Sequence, residues 1–228
     1  MDPVAIGHAI SVWLIPVVLA VTFHEAAHGW MAERCGDDTA RRMGRVTFNP
    51  IRHVDPFGTL ILPGLLLLLS APFLFGYAKP VPVNFRRLKQ PKRDMIWVAL
   101  AGPGTNVVLA FGSGLALHAA AYLPGETAAW VGQNLINSII INVVLAVFNM
   151  LPLPPLDGGR VVTGLLPDPY AWRFAQLERY GLLILIALLF FVPFAGEAMG
   201  LEINPIASVL LPPVQGLYQV ILSLTGLA

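Results

Sequence analysis

Charge is scarce in this chain. Asp, Glu, Lys and Arg together make up only 12% of its 228 residues, against 56% hydrophobic residues. A soluble domain carries roughly 25% charged residues, so a water-filled surroundings on all sides is excluded. Cysteine is nearly absent as well, and the single Cys35 rules out an intrachain disulfide and with it the small stapled secreted scaffolds. No internal repeat is visible, which argues against a transporter built from duplicated halves. The net charge of +1 offers no basic field for nucleic acid, and nucleic acid is not expected as a partner.

What is present is apolar sequence in lengths of about 20 residues, each enough to cross a hydrocarbon core of roughly 30 Å. Spans are expected over Val4 to Met31, Ile96 to Leu123, Trp130 to Leu151, Tyr180 to Phe194 with its flanks, and Ile203 to Leu227. A sixth apolar segment, Phe57 to Gly76, is broken by Pro63-Gly64 and Ala71-Pro72. The 14 Lys and Arg residues fall between Arg34 and Arg52, Lys79 and Arg93, and Arg160 and Arg179, whereas Asp2, Glu126, Glu197 and Glu202 lie in stretches without a basic residue. The positive-inside rule makes the three basic segments cytoplasmic and the amino terminus external. Parity then requires 57–76 to re-enter the membrane rather than cross it. Arg86, Arg87, Lys89, Lys92 and Arg93 are expected against anionic head groups of the bilayer. The fold class is therefore an all-α polytopic membrane protein with five to six transmembrane helices and a re-entrant hairpin. The spans use up the length, so residues 1–228 are expected to form a single membrane-embedded domain. The first apolar run has Asp2 where a signal peptide has basic residues, and is expected to be retained. Pro212-Pro213 predicts that the last span divides into two short pieces.

One motif carries chemistry. His24-Glu25-Ala26-Ala27-His28 puts two imidazoles four residues apart on one helical face, able to converge on a Zn²⁺ ion, with Glu25 beside them to accept a proton from the water such an ion activates. Catalytic zinc takes three protein ligands, so one more is required. His53, Asp55, His118, Asp157, Asp168, Glu178 and Glu33 are the candidates, and Glu33 lies too far along the same rod. Asp157 is preferred, because Asn149-Met150-Leu151-Pro152-Leu153-Pro154-Pro155-Leu156-Asp157-Gly158-Gly159-Arg160 ends a span at the depth of His24. Its prolines forbid a regular helix and its glycines allow close approach. Cys35, seven residues beyond His28, is about 10 Å further along and no ligand.

Three further expectations concern substrate. Gly44 to Pro50 reads as a short membrane-associated β-strand, whose edge at Val46, Thr47 and Phe48 either captures an extended segment by β-augmentation or is a plain surface hairpin. Asn149 and Asn106 either hydrogen-bond a substrate backbone or oxyanion, or bond across helices. His53 and Asp55 either orient a ligand imidazole from behind or, for Asp55, serve the turn before Pro56.

His24 to His28, Ala101-Gly102-Pro103-Gly104-Thr105-Asn106 and Asn149 to Arg160 together resemble the site-2 protease family of intramembrane zinc metalloproteases. His53-Val54-Asp55-Pro56 and Lys79-Pro80-Val81-Pro82-Val83-Asn84 resemble its short prokaryotic branch without a PDZ domain. The resemblance implies that His24, His28 and Asp157 bind one Zn²⁺ per chain, that Glu25 is the catalytic acid/base, and that a catalytic core of about 5–165 precedes variable helices over about 175–228. It implies an endopeptidase of a prokaryotic plasma membrane that cleaves transmembrane or membrane-anchored polypeptides near the cytoplasmic face. The competing reading from the residues is a zinc or proton transporter using the same His/acid site. Oligomeric state is not legible.

Overall fold

A computed structural model of the chain describes residues 3–61, 65, 76–201 and 204–228. In chain order the helices are α1 (Pro3–Arg34), α2 (Thr39–Arg42), α3 (Pro91–Ala120), α4 (Gly125–Asn149), α5 (Asp157–Leu165), α6 (Asp168–Ala175), α7 (Glu178–Ile186), α8 (Val192–Ala198) and α9 (Pro205–Thr225). A π-helical turn, Ala187–Phe191, joins α7 to α8. Among the described residues, five runs are long and apolar enough to cross a membrane: α1, α3, α4, the joined α7–α8 and α9. The protein is a multi-pass membrane protein.

Local chemistry sets the ends of these helices. Pro91 opens α3, where its missing N–H costs nothing, and Asp94 in the first turn accepts from the Gln90 N–H at 2.8 Å. Glu126 lies in the first turn of α4, where a negative charge favours the helix dipole. Asn204 accepts from the Ala207 N–H at 3.0 Å and caps α9. Large apolar side chains such as Ile10, Leu14 and Val108 face outward, as lipid-facing residues do.

α1, α3 and α4 pack on one another, and α5 folds back against α3. Small residues line the close contacts, among them Ala20, Gly102 and Ala146, so backbones approach closely without a hydrophobic drive between helices. Leu151, Leu156, Leu185 and Ile206 form a separate apolar cluster that seats the turn between α4 and α5 on α7 and α9. Gly158 permits that turn, since a Cβ there would overlap the Met150 and Leu151 carbonyls.

Two expectations change. No strand occurs among the described residues, and 44–50 is a run of turn and bends entering a 3₁₀ turn, Pro50–His53. Its polar groups are spent locally: the Arg45 N–H donates to the Ala40 carbonyl at 2.9 Å, the Asn49 N–H to Thr47 Oγ1 at 3.2 Å, and the Ile51 N–H to Asn49 Oδ1 at 3.1 Å. A strand needs a ladder partner, and bounding residues such as Gly44 and Pro50 cannot supply one. The expected re-entrant hairpin over 57–76 falls mostly outside the described residues. Its opening is a π-helical turn, Pro56–Ile61, and its two ends meet, with the Tyr77 N–H donating to the Gly58 carbonyl at 3.0 Å and Thr59 Oγ1 donating to the Tyr77 carbonyl at 2.9 Å. Pro212-Pro213 does not divide α9, which runs unbroken from Pro205 to Thr225. In a membrane helix, neighbouring helices and local adjustment compensate for the bonds proline removes.

The end of α1 is tied to the extended segment before α3. Asp37, buried, accepts from the Asn84 N–H at 2.6 Å, the Thr39 N–H at 3.1 Å and the Thr39 hydroxyl, while the Lys89 N–H donates to the Cys35 carbonyl at 3.0 Å. Burial alone raises the Asp37 pKa, but these donors outweigh it and hold the carboxyl below its ordinary value. Asp37→Ala is expected to destabilise the detergent-solubilised protein by about 2–3 kcal/mol through stranded donors, read as a lower Tm. Because the folded pKa is depressed, that contribution is complete above about pH 4 and fades as pH falls through the folded value, so the gap to wild type narrows in acid.

Candidate metal centre

His24 and His28 lie one turn apart on α1, buried against α3, with their Nε2 atoms 3.0 Å apart. Asp157, the first residue of α5, is also buried and brings Oδ2 to 3.2 Å from His24 Nε2 and 3.3 Å from His28 Nε2. Ligand atoms of the three residues all lie within 4.8 Å of one another. Gly102 makes the space, because a Cβ there would stand 2.5 Å from His28 Nε2 and 2.7 Å from His24 Nε2.

The hydrogen bonds behind the rings decide which nitrogens carry protons. His28 Nδ1 lies 2.7 Å from the Val98 carbonyl, which can only accept, so that nitrogen is the donor. His24 Nδ1 lies 2.6 Å from Asn106 Oδ1. The Asn106 amide is oriented by its other end: Nδ2 donates to the Ala20 carbonyl at 3.2 Å and to Asn142 Oδ1 at 2.7 Å. In their neutral state both imidazoles therefore turn an Nε2 lone pair to the same point, where Asp157 Oδ2 joins them. Three such acceptors facing each other repel, and a cation between them relieves that repulsion. Two imidazole nitrogens and one carboxylate oxygen form the donor set of an open catalytic zinc site.

Glu25 points elsewhere, toward the segment 79–83. Its Oε2 accepts from the Val81 N–H at 2.8 Å, and flanking Pro80 and Pro82 have no N–H to compete. Arg45 fixes this segment by donating from one guanidinium nitrogen to the Lys79 carbonyl at 2.6 Å. Burial pulls the Arg45 pKa down and the nearby Glu25 charge pushes it back up, with a net lowering.

The remaining candidates lie elsewhere. His53 is buried with Nε2 3.0 Å from the Thr47 carbonyl, Asp55 caps the Phe57 and Gly58 N–H groups, and His118 meets the Thr225 carbonyl of α9 at 2.6 Å. Asp168 pairs with Lys92, Glu178 with Arg160, and Glu33 with Arg41. Asn106 is fully buried with both amide ends committed, which leaves it nothing for a substrate. Asn149 is half-buried at the end of α4 and donates to the Leu145 carbonyl at 3.0 Å. Val46 packs over Gly29, Phe48 stacks on Phe23 at 4.4 Å, and these residues with Thr47, Ala27 and Trp30 line a cleft of about 600 Å³. Asn142, Gly102, Val81 and Arg45 escaped the sequence reading. Gly102 and Val81 stood there only inside quoted motifs, with no role, and Asn142 is one of four asparagines on an apolar span with Asn134, Asn137 and Asn149.

Five apolar spans among the described residues and a buried His/His/Asp cluster that could hold a metal ion, with Glu25 next to His24 in the chain, define a polytopic membrane protein with a candidate metal centre. The chain belongs to peptidase family M50, whose model matches residues 12–125 and 114–192. It is 42% identical over 179 residues to a Bacillus subtilis protein named "Putative zinc metalloprotease YwhC", a match covering 77% of this chain and 78% of that one. It is 32% identical over 181 residues to "Putative zinc metalloprotease Rip2" of Mycolicibacterium smegmatis, covering 79% of this chain and 65% of the relative. No solved structure gives a significant match.

Gly102→Ala should leave α3 intact, since alanine favours a helix, yet fill the space between the imidazoles. Metal content of the purified protein, measured by plasma mass spectrometry, is expected to fall toward zero with an unchanged circular dichroism spectrum.

Proposed function

We propose that this protein is a zinc-dependent endopeptidase of the membrane interior, with His24, His28 and Asp157 as the zinc ligands and Glu25 as the acid/base. The observation that carries the reading is the buried convergence of two bare Nε2 atoms and an unpartnered Asp157 oxygen beside a glutamate, inside a bundle of apolar spans. Zinc, when bound, supplies Lewis acidity to a water and to the scissile carbonyl at neutral pH. Glu25 Oε2 is held by Val81, which leaves Oε1 to take the water proton and return it to the leaving amine. Asn149, at the end of α4, is suited to hydrogen-bond the substrate backbone once it turns from the Leu145 carbonyl.

The substrate in this reading is a transmembrane or membrane-anchored polypeptide cut near the cytoplasmic face of a cell membrane. His28 and His24 stand six and ten residues before Arg34, about 9 and 15 Å along the helix from its basic end, and Lys79 to Arg93 and Arg160 to Arg179 flank the same end. The joined ends of 58–77 support a segment with no net crossing, which keeps all three basic stretches on one side. A helical substrate must unwind before its carbonyls are free, and the cleft at Phe23, Val46 and Phe48 is suited to hold its apolar side chains. Catalysis is assigned to about 5–165 within a single membrane-embedded unit, with the helices after about 175 as its variable flank.

Glu25→Gln is expected to retain zinc and to lower cleavage of a model transmembrane substrate in liposomes by at least about 10²–10⁴-fold; turnover at the wild-type rate removes Glu25 from the mechanism. Asp157→Ala is expected to lose both zinc and cleavage, and full zinc occupancy means that another residue completes the site. Zinc flux across the liposome without proteolysis would instead favour transport.

A further inference from the structure

The best-buried polar groups of the bundle form a directed chain that ends on a ligand ring. Ser138 of α4 offers its backbone carbonyl, which accepts from Asn142 Nδ2 at 2.9 Å. That bond turns Asn142 Oδ1 toward α3, where it accepts from Asn106 Nδ2 at 2.7 Å. Asn106 in turn accepts from His24 Nδ1 at 2.6 Å. Two backbone carbonyls, those of Ser138 and Ala20, can only accept, so they fix the sense of every bond between them and the imidazole. Asn142 is 1% exposed and Asn106 is fully buried. Inversion of either amide would set oxygen against oxygen at Ser138 or Ala20, a cost of about 1–3 kcal/mol for each stranded buried group.

We propose that Asn142 is a positioning residue of the metal centre: acting through Asn106, it holds His24 in the tautomer that keeps Nε2 bare and aims the ring at His28 and Asp157. The inference rests on the zinc reading above. A simpler role for an intramembrane asparagine is to join helices, and Asn137 supplies the comparison. It is equally buried, one turn toward the start of α4, and donates to the Val12 carbonyl of α1 at 3.0 Å while accepting from Gln133. Asn137 joins α4 to α1, as Asn142 joins α4 to α3, without reaching a ligand ring. If helix joining were the whole role of such residues, the two asparagines would be equivalent.

The test measures zinc affinity by chelator competition on the full chain in detergent, alongside the visible spectrum of the Co²⁺-substituted protein. Asn142→Leu is expected to weaken zinc binding about 10-fold, the lower end of what outer partners of ligand histidines contribute, and to alter the cobalt bands. Asn142→Asp should restore both, because a carboxyl in that apolar setting stays protonated and reproduces the donor and the acceptor. Asn137→Leu is expected to lower Tm and leave zinc affinity as in wild type. Should the leucine variant fail to insert, Asn142→Ser, whose hydroxyl is too short to reach Asn106, carries the same expectation. Wild-type affinity and spectrum in Asn142→Leu or Asn142→Ser, or equal weakening by Asn137→Leu, overturns the proposal. Zinc retained by Asp157→Ala in the same preparations would instead overturn the site itself.

Discussion

Two imidazole nitrogens and one carboxylate oxygen, about 3 Å apart, are the constraint to which the rest of the molecule answers. With both rings neutral, three acceptors at that spacing repel in a medium of low dielectric. The fold maintains the arrangement from behind. Val98 and Asn106 hold the distal nitrogens of the rings, Gly102 leaves them room, and the turn from Leu151 to Leu156 delivers Asp157 from the far side while its own apolar residues anchor it to α7 and α9. A divalent cation converts the repulsion into coordination, which is the chemistry proposed for this member of peptidase family M50.

Catalysis and metal holding fall to different neighbours. The ligand rings are positioned by α3 and α4, whereas Glu25, on the same turn of α1, is positioned by the segment 79–83. That segment is itself secured at three points, by Arg45, by the His53 carbonyl accepting from the Lys79 N–H, and by Asp37 accepting from the Asn84 N–H. Loops 36–55 and 79–90 therefore fix Glu25, the proposed acid/base, while the helix bundle fixes the proposed metal ligands. The division separates changes that alter turnover from changes that alter metal content.

Local pattern made the first half of the site legible. Spacing of four residues places His24 and His28 on one face whatever surrounds them, and a run of prolines and glycines at the end of a span marked the turn that carries Asp157. What depended on register between helices was not legible. Nothing in Ala101-Gly102-Pro103 says that Gly102 will face two imidazoles, and nothing in the α4 sequence says which of its asparagines will meet Asn106. The β expectation at 44–50 failed because turn residues at its ends describe one segment and pairing takes two. The two-piece expectation for the last span failed because Pro212-Pro213 was weighed by rules for helices in water, where neighbours and lipid do not compensate.

The account rests on the identity of the atoms around zinc, and X-ray absorption at the zinc edge on the detergent-purified protein reads them directly. A first shell of nitrogen and oxygen only, with outer-shell scattering from two imidazoles, is the predicted result. A sulfur shell, or a spectrum with one imidazole or none, would contradict it.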